Sequence, residues 1–345
     1  MADVTEDAVV DYNRRQPGRE FVRRLWREQP LGIFGAAITV VLLFTGIFAG
    51  FLAPYGMNEV YVGGYLESPS GEFPFGTDNI GRDIFSRVIY GARISVIVGL
   101  SSATLGTFIS LLIGILSGYL GGPFDLLVQR FVDIWMSIPS LVVVMILVSI
   151  VGPGLVPLIV IIGFIYGVPG SRIIRGAVIG VKSNAYVTAA KVIGARTGRI
   201  VTKHILRNVM APAIVLFTIR VPAVILTEAG LSFLGFGLPP PTPSWGAMIS
   251  GAGREYMFQA PWMVLWPGLA LAIVVYGINM FGDAVRDLID PRMRGGSGRF
   301  GVQVKKKRAG GVPPLKGDTA VAVAPQGGIV DAPAGQEEPP GGSSG

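Results

Sequence analysis

The feature that most constrains the fold of this 345-residue chain is a series of apolar runs long enough to cross a lipid bilayer. The first run covers residues 31–53 and follows a polar, arginine-rich segment. In helical form a run of this length spans about 30 Å of hydrocarbon. It is longer than the apolar core of a signal peptide, which has about 7 to 15 residues. We therefore interpret it as a retained membrane-spanning helix.

Five further apolar runs follow, and together with the first they predict an all-α membrane protein with six transmembrane helices. The fourth run is the least continuous, because its apolar stretch stops at Pro169 and Gly170. Composition agrees with a membrane protein, since 15% of the residues are charged, against about a quarter in soluble domains. The five runs lie at about residues 94–120, 131–151, 155–175, 212–234 and 261–285.

The distribution of Lys and Arg predicts which side of the membrane each segment faces. With six spans and a cytoplasmic N-terminus, nearly all of the 29 basic residues fall in cytoplasmic segments, as the positive-inside rule requires. Both termini are then cytoplasmic in a multi-pass cell-membrane protein. This asymmetry accounts for the net charge of +7, which therefore does not indicate a nucleic-acid partner. The exceptions are Arg82, Arg87, Arg93 and Arg254 in outer loops and Arg220 within a span.

The predicted spans also set the domain organisation. The last segment is rich in Gly and Pro, so we expect it to be disordered, with a basic run that can contact anionic membrane lipid. The divisions are a cytoplasmic segment at 1–30, the first span at 31–53, an extracytoplasmic loop at 54–93, a core at 94–294 that contains the other five spans and a cytoplasmic loop at 183–211, and the tail at 295–345.

The residue types needed for most catalytic sites are missing from the sequence. The chain has no Cys and a single His, which leaves no thiol nucleophile, no Cys-based zinc site and little material for a metal centre. No GxxxxGK[ST] phosphate loop occurs, so the chain does not supply a Walker-type ATP site. We predict no catalytic, cofactor-binding or metal-binding residues, and a chain that is not itself an enzyme.

The cytoplasmic loop at 183–211 carries the pattern most typical of a docking element. It is basic and has a helical period, and its small residues include Ala190 and Gly194, which are one helical turn apart. Small residues on one face let another surface approach the backbone closely. The alternative is an amphipathic connector that lies on the membrane surface.

This loop resembles the EAA coupling loop of ABC-importer permeases. Thr188, Ala189 and Ala190 stand at the EAA positions, Gly194 at the motif glycine, and His204 and Asn208 near its end. Two positions depart from the family pattern, since Thr188 replaces the usual Glu and Arg207 replaces the usual Pro. The resemblance implies that the coupling-loop residues are Thr188, Ala189, Ala190, Gly194, Ala195, His204 and Asn208.

Three other segments resemble the C-type permease subunit of dipeptide, oligopeptide and nickel importers. They lie at residues 75–95, 228–250 and 282–292, and the resemblance extends over about residues 31–294. It implies a type I ABC-importer permease fold, a second, B-type permease subunit, one or two ABC ATPase subunits that bind ATP and Mg, and an extracytoplasmic substrate-binding protein. The cargo is then a di- or oligopeptide or, as the alternative, a nickel complex.

The fifth span contains two charged residues, Arg220 and Glu228. They are eight residues apart, about 12 Å along a helix, so we expect each to have a partner other than its neighbour. They either pack against the second permease subunit or line the substrate path. A self-sufficient secondary carrier, the alternative from another class, would show internal repeats and more midplane ionisable residues.

Two outer segments are candidates for contact with external partners. We expect the loop at 54–93 either to contact a docked binding protein or to be an ordinary solvated loop. The stretch at 234–254 contains four prolines between residues 239 and 243, and we expect it to form a rigid, non-helical cap on the outer mouth.

Overall fold

The computed structural model describes residue 23 and residues 25–289. The predicted disordered tail at 295–345 and most of the N-terminal segment at 1–30 lie outside the described residues. Apart from one isolated bridge between Thr77 and Asp83, the described residues contain no β-structure. Their helices are α1 Pro30–Ile47, α2 Ala49–Leu52, α3 Ile84–Leu120, α4 Gly122–Ser137, α5 Ser140–Val151, α6 Leu155–Lys182, α7 Ala185–Val192, α8 Thr197–Arg199, a π-helix Ile200–Ile205, α9 Leu206–Phe233, α10 Trp245–Ile249, α11 Gly251–Glu255 and α12 Trp262–Ile289.

Five helical segments of the described chain are long and apolar enough to cross a membrane, namely α1, α3, α6, residues 197–233 and α12. Helix α3 begins at Ile84, ten residues before the apolar run predicted from the sequence. The Asp83 carboxylate caps this end, because it accepts hydrogen bonds from the N–H groups of Phe85 and Ser86. Residues 84–93, expected in the outer loop, are therefore helical.

The third predicted span is broken into α4 and α5, whose axes differ in direction by 88°. The break contains Ile138 and Pro139, and Ile138 has extended backbone angles. Proline disfavours a helical conformation in the residue before it and has no N–H to donate, so an unbroken helix cannot pass through this position.

Helices α3 and α6 pack side by side and run in the same direction. Gly114 faces Ser171 and Gly118 faces Val178, so residue numbers rise together along the contact. A Cβ on Gly114 would lie 2.6 Å from the Ser171 carbonyl oxygen, which shows how closely the two backbones approach. Because two successive long helices are parallel, residues 121–154 between them must return the chain to the other end of the bundle.

The remaining long helices alternate in direction. Helix α1 is antiparallel to α12, and Gln29 Nε2 donates to Asp287 Oδ2 at 3.1 Å, so the first and last described helices meet at one end of the bundle. Lys182, which ends α6, donates to the Tyr119 carbonyl oxygen near the end of α3. We call the end of the bundle that contains Lys182 the basic end. We call the opposite end, formed by residues 54–83 and 234–261, the loop end.

The loop end contains two short helices, α10 and α11, so the expectation of a non-helical cap at 234–254 is wrong for its second half. The last proline of the cluster is Pro243, and Ser244 then caps α10 by accepting a hydrogen bond from the Ala247 N–H. The buried Trp245 indole donates to the Val88 carbonyl oxygen of α3 at 3.0 Å. This contact fastens the cap to the membrane bundle.

Candidate functional site

The predicted coupling loop forms a helix, α7, at the basic end of the bundle. Val187 and Ala190 are the buried residues of this eight-residue helix. Both belong to an apolar cluster that joins α7 to the long helices and also contains Ile115, Ile174, Val178, Ile200, Ile205 and Val209. The buried face of α7 is thus occupied by this chain's own residues.

Gly194 lies just beyond the C-terminus of α7. Its φ is +79°, its N–H donates to the Lys191 carbonyl, and the Ala195 N–H donates to the Ala190 carbonyl, both at 3.0 Å. This is the Schellman pattern, which uses a left-handed residue to terminate a helix. The prediction that Ala190 and Gly194 lie one turn apart on the same helical face is therefore wrong, because Gly194 is outside the helix, and Ala190 is buried.

The exposed side of the segment presents Thr188 and Ala189 on α7 and an apolar pair at its tip. Val192 and Ile193 are 82% and 83% exposed. Two adjacent, large, exposed apolar side chains outside the membrane-spanning helices are a candidate interaction surface. Sequence reasoning missed this pair, although the signal was visible as two β-branched residues between Lys191 and the motif glycine.

His204 lies in the π-helix and Asn208 in the first turn of α9, so neither is part of the exposed apolar pair. Asn208 Nδ2 donates to the His204 carbonyl at 2.6 Å, and the His204 ring centroid is 6.1 Å from that of Tyr186 on α7. His204 belongs to the π-helix, whose hydrogen bonds join residues five apart, and Ile200 and Ile205 of this helix both lie in the apolar cluster. Of these two motif residues, His204 packs near α7, and the side chain of Asn208 bonds, within the described part of the chain, only to the backbone of His204.

Tyr119, near the end of α3, links this helix to α7. The ammonium groups of Lys182 and Lys191 lie 5.5 Å and 5.8 Å from the centroid of its ring. Lys182 also donates to the Tyr119 carbonyl at 2.6 Å. Cation–π contacts of this kind contribute about 0.5 to 1 kcal/mol at exposed sites. The link gives α7 a second attachment to the bundle besides its apolar cluster.

Arg220 is buried between three helices of this chain. Its guanidinium donates to Thr107 Oγ1 at 3.3 Å, Ser110 Oγ at 2.8 Å and the Tyr166 carbonyl at 2.5 Å. Tyr166 lies in the turn of α6 that Pro169 disturbs by withholding a backbone donor. Arg220 therefore holds α9 against α3 and α6 at this irregular turn.

Glu228 is also buried, 1% exposed, two helical turns further along α9. Its Oε1 accepts a hydrogen bond from Ser232 at 2.7 Å, and its Oε2 has no partner among the described residues. Arg220 and Glu228 thus have separate partners. Both side chains are enclosed by this chain's own helices. A role of either residue in a substrate path or a subunit interface stays a prediction.

Comparison with known proteins identifies the family. Residues 110–295 match the family model described as the binding-protein-dependent transport system inner membrane component. The chain is 38% identical over 283 residues to the dipeptide transport system permease protein DppC of Alkalihalophilus pseudofirmus, which covers 82% of this chain and 92% of that protein. The chain belongs to this family of inner-membrane transport components.

Two further relatives of this inner-membrane component are similar over most of its length. The glutathione transport system permease protein GsiD of Shigella flexneri is 39% identical, with 81% of this chain and 92% of that protein covered. The di/tripeptide transport system permease protein DppC of Pseudomonas aeruginosa is 37% identical, with 75% and 88% covered.

The residues matched by the family model include the coupling segment and α9. The inner-membrane component is a multi-pass membrane protein, in agreement with its long apolar helices. The family is the membrane part of a transport system and is distinct from an ATPase. Within the described residues, no group of three His, Asp or Glu side chains is placed to hold a metal ion.

Proposed function

We propose that this chain is a permease subunit of an ATP-driven importer of di- and oligopeptides. It forms half of the translocation path, and a second permease subunit forms the other half. The names of the relatives support a peptide cargo, because they refer to dipeptide, di/tripeptide and glutathione transport. A nickel complex has no such support, and a self-sufficient carrier does not agree with a binding-protein-dependent family.

The proposed topology has six spans with both termini in the cytoplasm. Support comes from the parallel packing of α3 and α6, which requires α4 and α5 together to return the chain across the bundle. The basic end also carries most Lys and Arg residues of the described loops, which the positive-inside rule places in the cytoplasm. An extracytoplasmic binding protein would then meet the loop end.

The observation that carries the proposal is the exposed pair Val192 and Ile193 at the tip of a firmly attached helix. ATP would be bound with Mg by one or two separate ATPase subunits in the cytoplasm. Their movement reaches the spans only through a rigid element that contacts them. Helix α7 satisfies this requirement, because its buried face and the contact of Lys191 with Tyr119 fix it to the bundle.

The test replaces one side chain of the pair. Ile193→Asp places a charge in the apolar contact, whereas the matched control Ile193→Leu retains an apolar side chain of equal size. We expect both variants to insert into the membrane in equal amounts. Ile193→Asp should lose co-purification of the ATPase after gentle solubilisation and should lose peptide uptake, while Ile193→Leu keeps both. Normal peptide uptake by the Ile193→Asp variant would contradict the proposed coupling role of this pair.

A further inference from the structure

A cavity of about 230 Å³ lies at the loop end, enclosed by the start of α3, the proline-rich cap and the short helices α10 and α11. Its charged lining residues are Asp78, Arg82 and Arg87, so the lining has one positive charge in excess. The apolar part of the wall consists of Ile84, Leu238, Met248 and Met263, with Pro240 and Pro241.

The carboxylate of Asp78 already accepts three hydrogen bonds, none of them from Arg87. Its Oδ1 accepts from the backbone N–H groups of Ile80 and Arg82, both at 3.0 Å. Its Oδ2 accepts from Arg82 Nε at 2.6 Å and lies 4.0 Å from Arg87 Nε. Asp78 therefore pairs with Arg82 and leaves Arg87 without a hydrogen-bonded counterion.

Arg87 is only 8% exposed, yet its guanidinium has few partners. The one acceptor within hydrogen-bond distance among the described residues is the Met57 carbonyl, 3.4 Å from Nη1. An Arg side chain carries five N–H donors, and among the described residues only Nη1 of Arg87 has a hydrogen-bond acceptor, while the Asp78 carboxylate lies 4.0 Å from Nε. The remaining donors are available to a ligand, because the side chain lines the cavity.

We propose that this cavity binds the C-terminal carboxylate of the transported peptide, with Arg87 as its main donor. The proposal rests on the proposed function of the chain as a peptide importer subunit. Guanidinium and carboxylate match in planar, two-bond geometry. Every unmodified linear peptide ends in a carboxylate, and the apolar walls accommodate the last side chain, so the subsite accepts peptides of different sequence.

The size of the cavity favours a small ligand over a folded partner. A volume of about 230 Å³ is below the range of about 300 to 1,000 Å³ typical of sites for drug-sized molecules, and it admits a chain terminus. A docked protein would instead contact the exposed side chains at this end, such as Phe258 and Tyr61, which are 92% and 82% exposed. Insertion of an acidic side chain from the binding protein is the competing outcome.

The experiment measures ATP-driven uptake by the complete importer in proteoliposomes. Two forms of one tripeptide are compared, one with a free C-terminal carboxylate and one with a C-terminal amide, each at a concentration that saturates the binding protein. The variants are Arg87→Met, Arg87→Lys and the control Arg93→Met. Arg93 lies on the same helix and donates to a backbone carbonyl, that of Gly46, but does not line the cavity.

We expect the unchanged importer and Arg93→Met to transport the free acid about tenfold faster than the amide, the effect of one charge-assisted hydrogen bond. Arg87→Met should lower the rate for the free acid to that for the amide, and Arg87→Lys should keep part of the preference. Complex assembly and basal ATP hydrolysis serve as controls for folding, and the lysine variant keeps the charge if the methionine variant fails to assemble.

Two outcomes would contradict the proposal of a carboxylate subsite. One is an equal loss of both uptake rates in Arg87→Met and Arg87→Lys with assembly intact. The other is weaker docking of the binding protein to the Arg87 variants, which would assign the cavity to an acidic side chain of that partner. Both leave the importer function standing, whereas absence of uptake of either peptide by the unchanged complex would contradict the proposed function itself.

Discussion

The backbone N–H of Ala195 donates a hydrogen bond to the carbonyl oxygen of Ala190, 3.0 Å away, and thereby closes the C-terminus of α7. The closure requires a left-handed residue at position 194, between the exposed apolar pair and the π-helix. The glycine of the coupling motif is thus explained by backbone conformation. Within this chain, space is not the constraint, since a Cβ at this position would meet nothing within 4 Å.

Substitutions of Gly194 should follow the cost of a positive φ. We expect Gly194→Ala to weaken the end of α7 by about 1 kcal/mol and to slow uptake, and Gly194→Asn to be milder, because Asn tolerates this conformation. Gly194→Arg adds a long charged side chain and should abolish transport with membrane insertion intact. Uptake rates and amide exchange of α7 provide the measurement. Equal behaviour of the Ala and Asn variants would contradict the Schellman explanation.

The packing of α3 on α6 makes a second prediction. Gly114→Ala places a Cβ against the Ser171 carbonyl, and such overpacking costs about 1 to 3 kcal/mol. The matched control is Gly176→Ala on α6, where a Cβ meets nothing within 4 Å. In detergent, the first variant should unfold at a lower temperature than the unchanged protein, and the control should unfold at the same or a higher one. A Gly114→Ala protein of unchanged stability would refute the close backbone contact between α3 and α6.

The absence of cysteine from the sequence makes the topology directly testable. Thr202 is exposed at the basic end and Gly71 is exposed at the loop end. In intact cells, a membrane-impermeant maleimide should label Gly71→Cys and leave Thr202→Cys unlabelled. Permeabilised cells should show labelling of both, which controls for accessibility. Labelling of Thr202→Cys from outside would reverse the proposed orientation.

Much of the class of this protein follows from local sequence alone. Apolar runs of more than twenty residues predict membrane helices because the hydrophobic contribution adds up along a single segment. Motifs in the sequence predicted a permease of an ABC importer, and the comparisons confirmed membership in the family of binding-protein-dependent inner-membrane transport components. The sequence also predicted that Arg220 and Glu228 have separate partners, because eight residues of helix keep them apart.

Tertiary structure decided which faces are buried and how the helices connect. The sequence placed the start of the second span at residue 94, because Arg87 and Arg93 interrupt the apolar run, whereas the Asp83 cap and packing extend the helix to Ile84. The bend at Pro139 separates α4 from α5 although the apolar pattern continues past it.

At the candidate site, too, local sequence predicted one part of the result and tertiary structure decided the other. The motif located the coupling segment, but Ala190 and Ile193, three residues apart, have opposite environments, one buried and the other exposed. That difference depends on Ile174, Val178 and Val209, which belong to other parts of the chain and pack against α7. Hydropathy is a sum over neighbours in sequence and determined that the chain enters the membrane. Burial and hydrogen bonding depend on neighbours in space, so only the folded structure decided which side chains are buried and which are exposed.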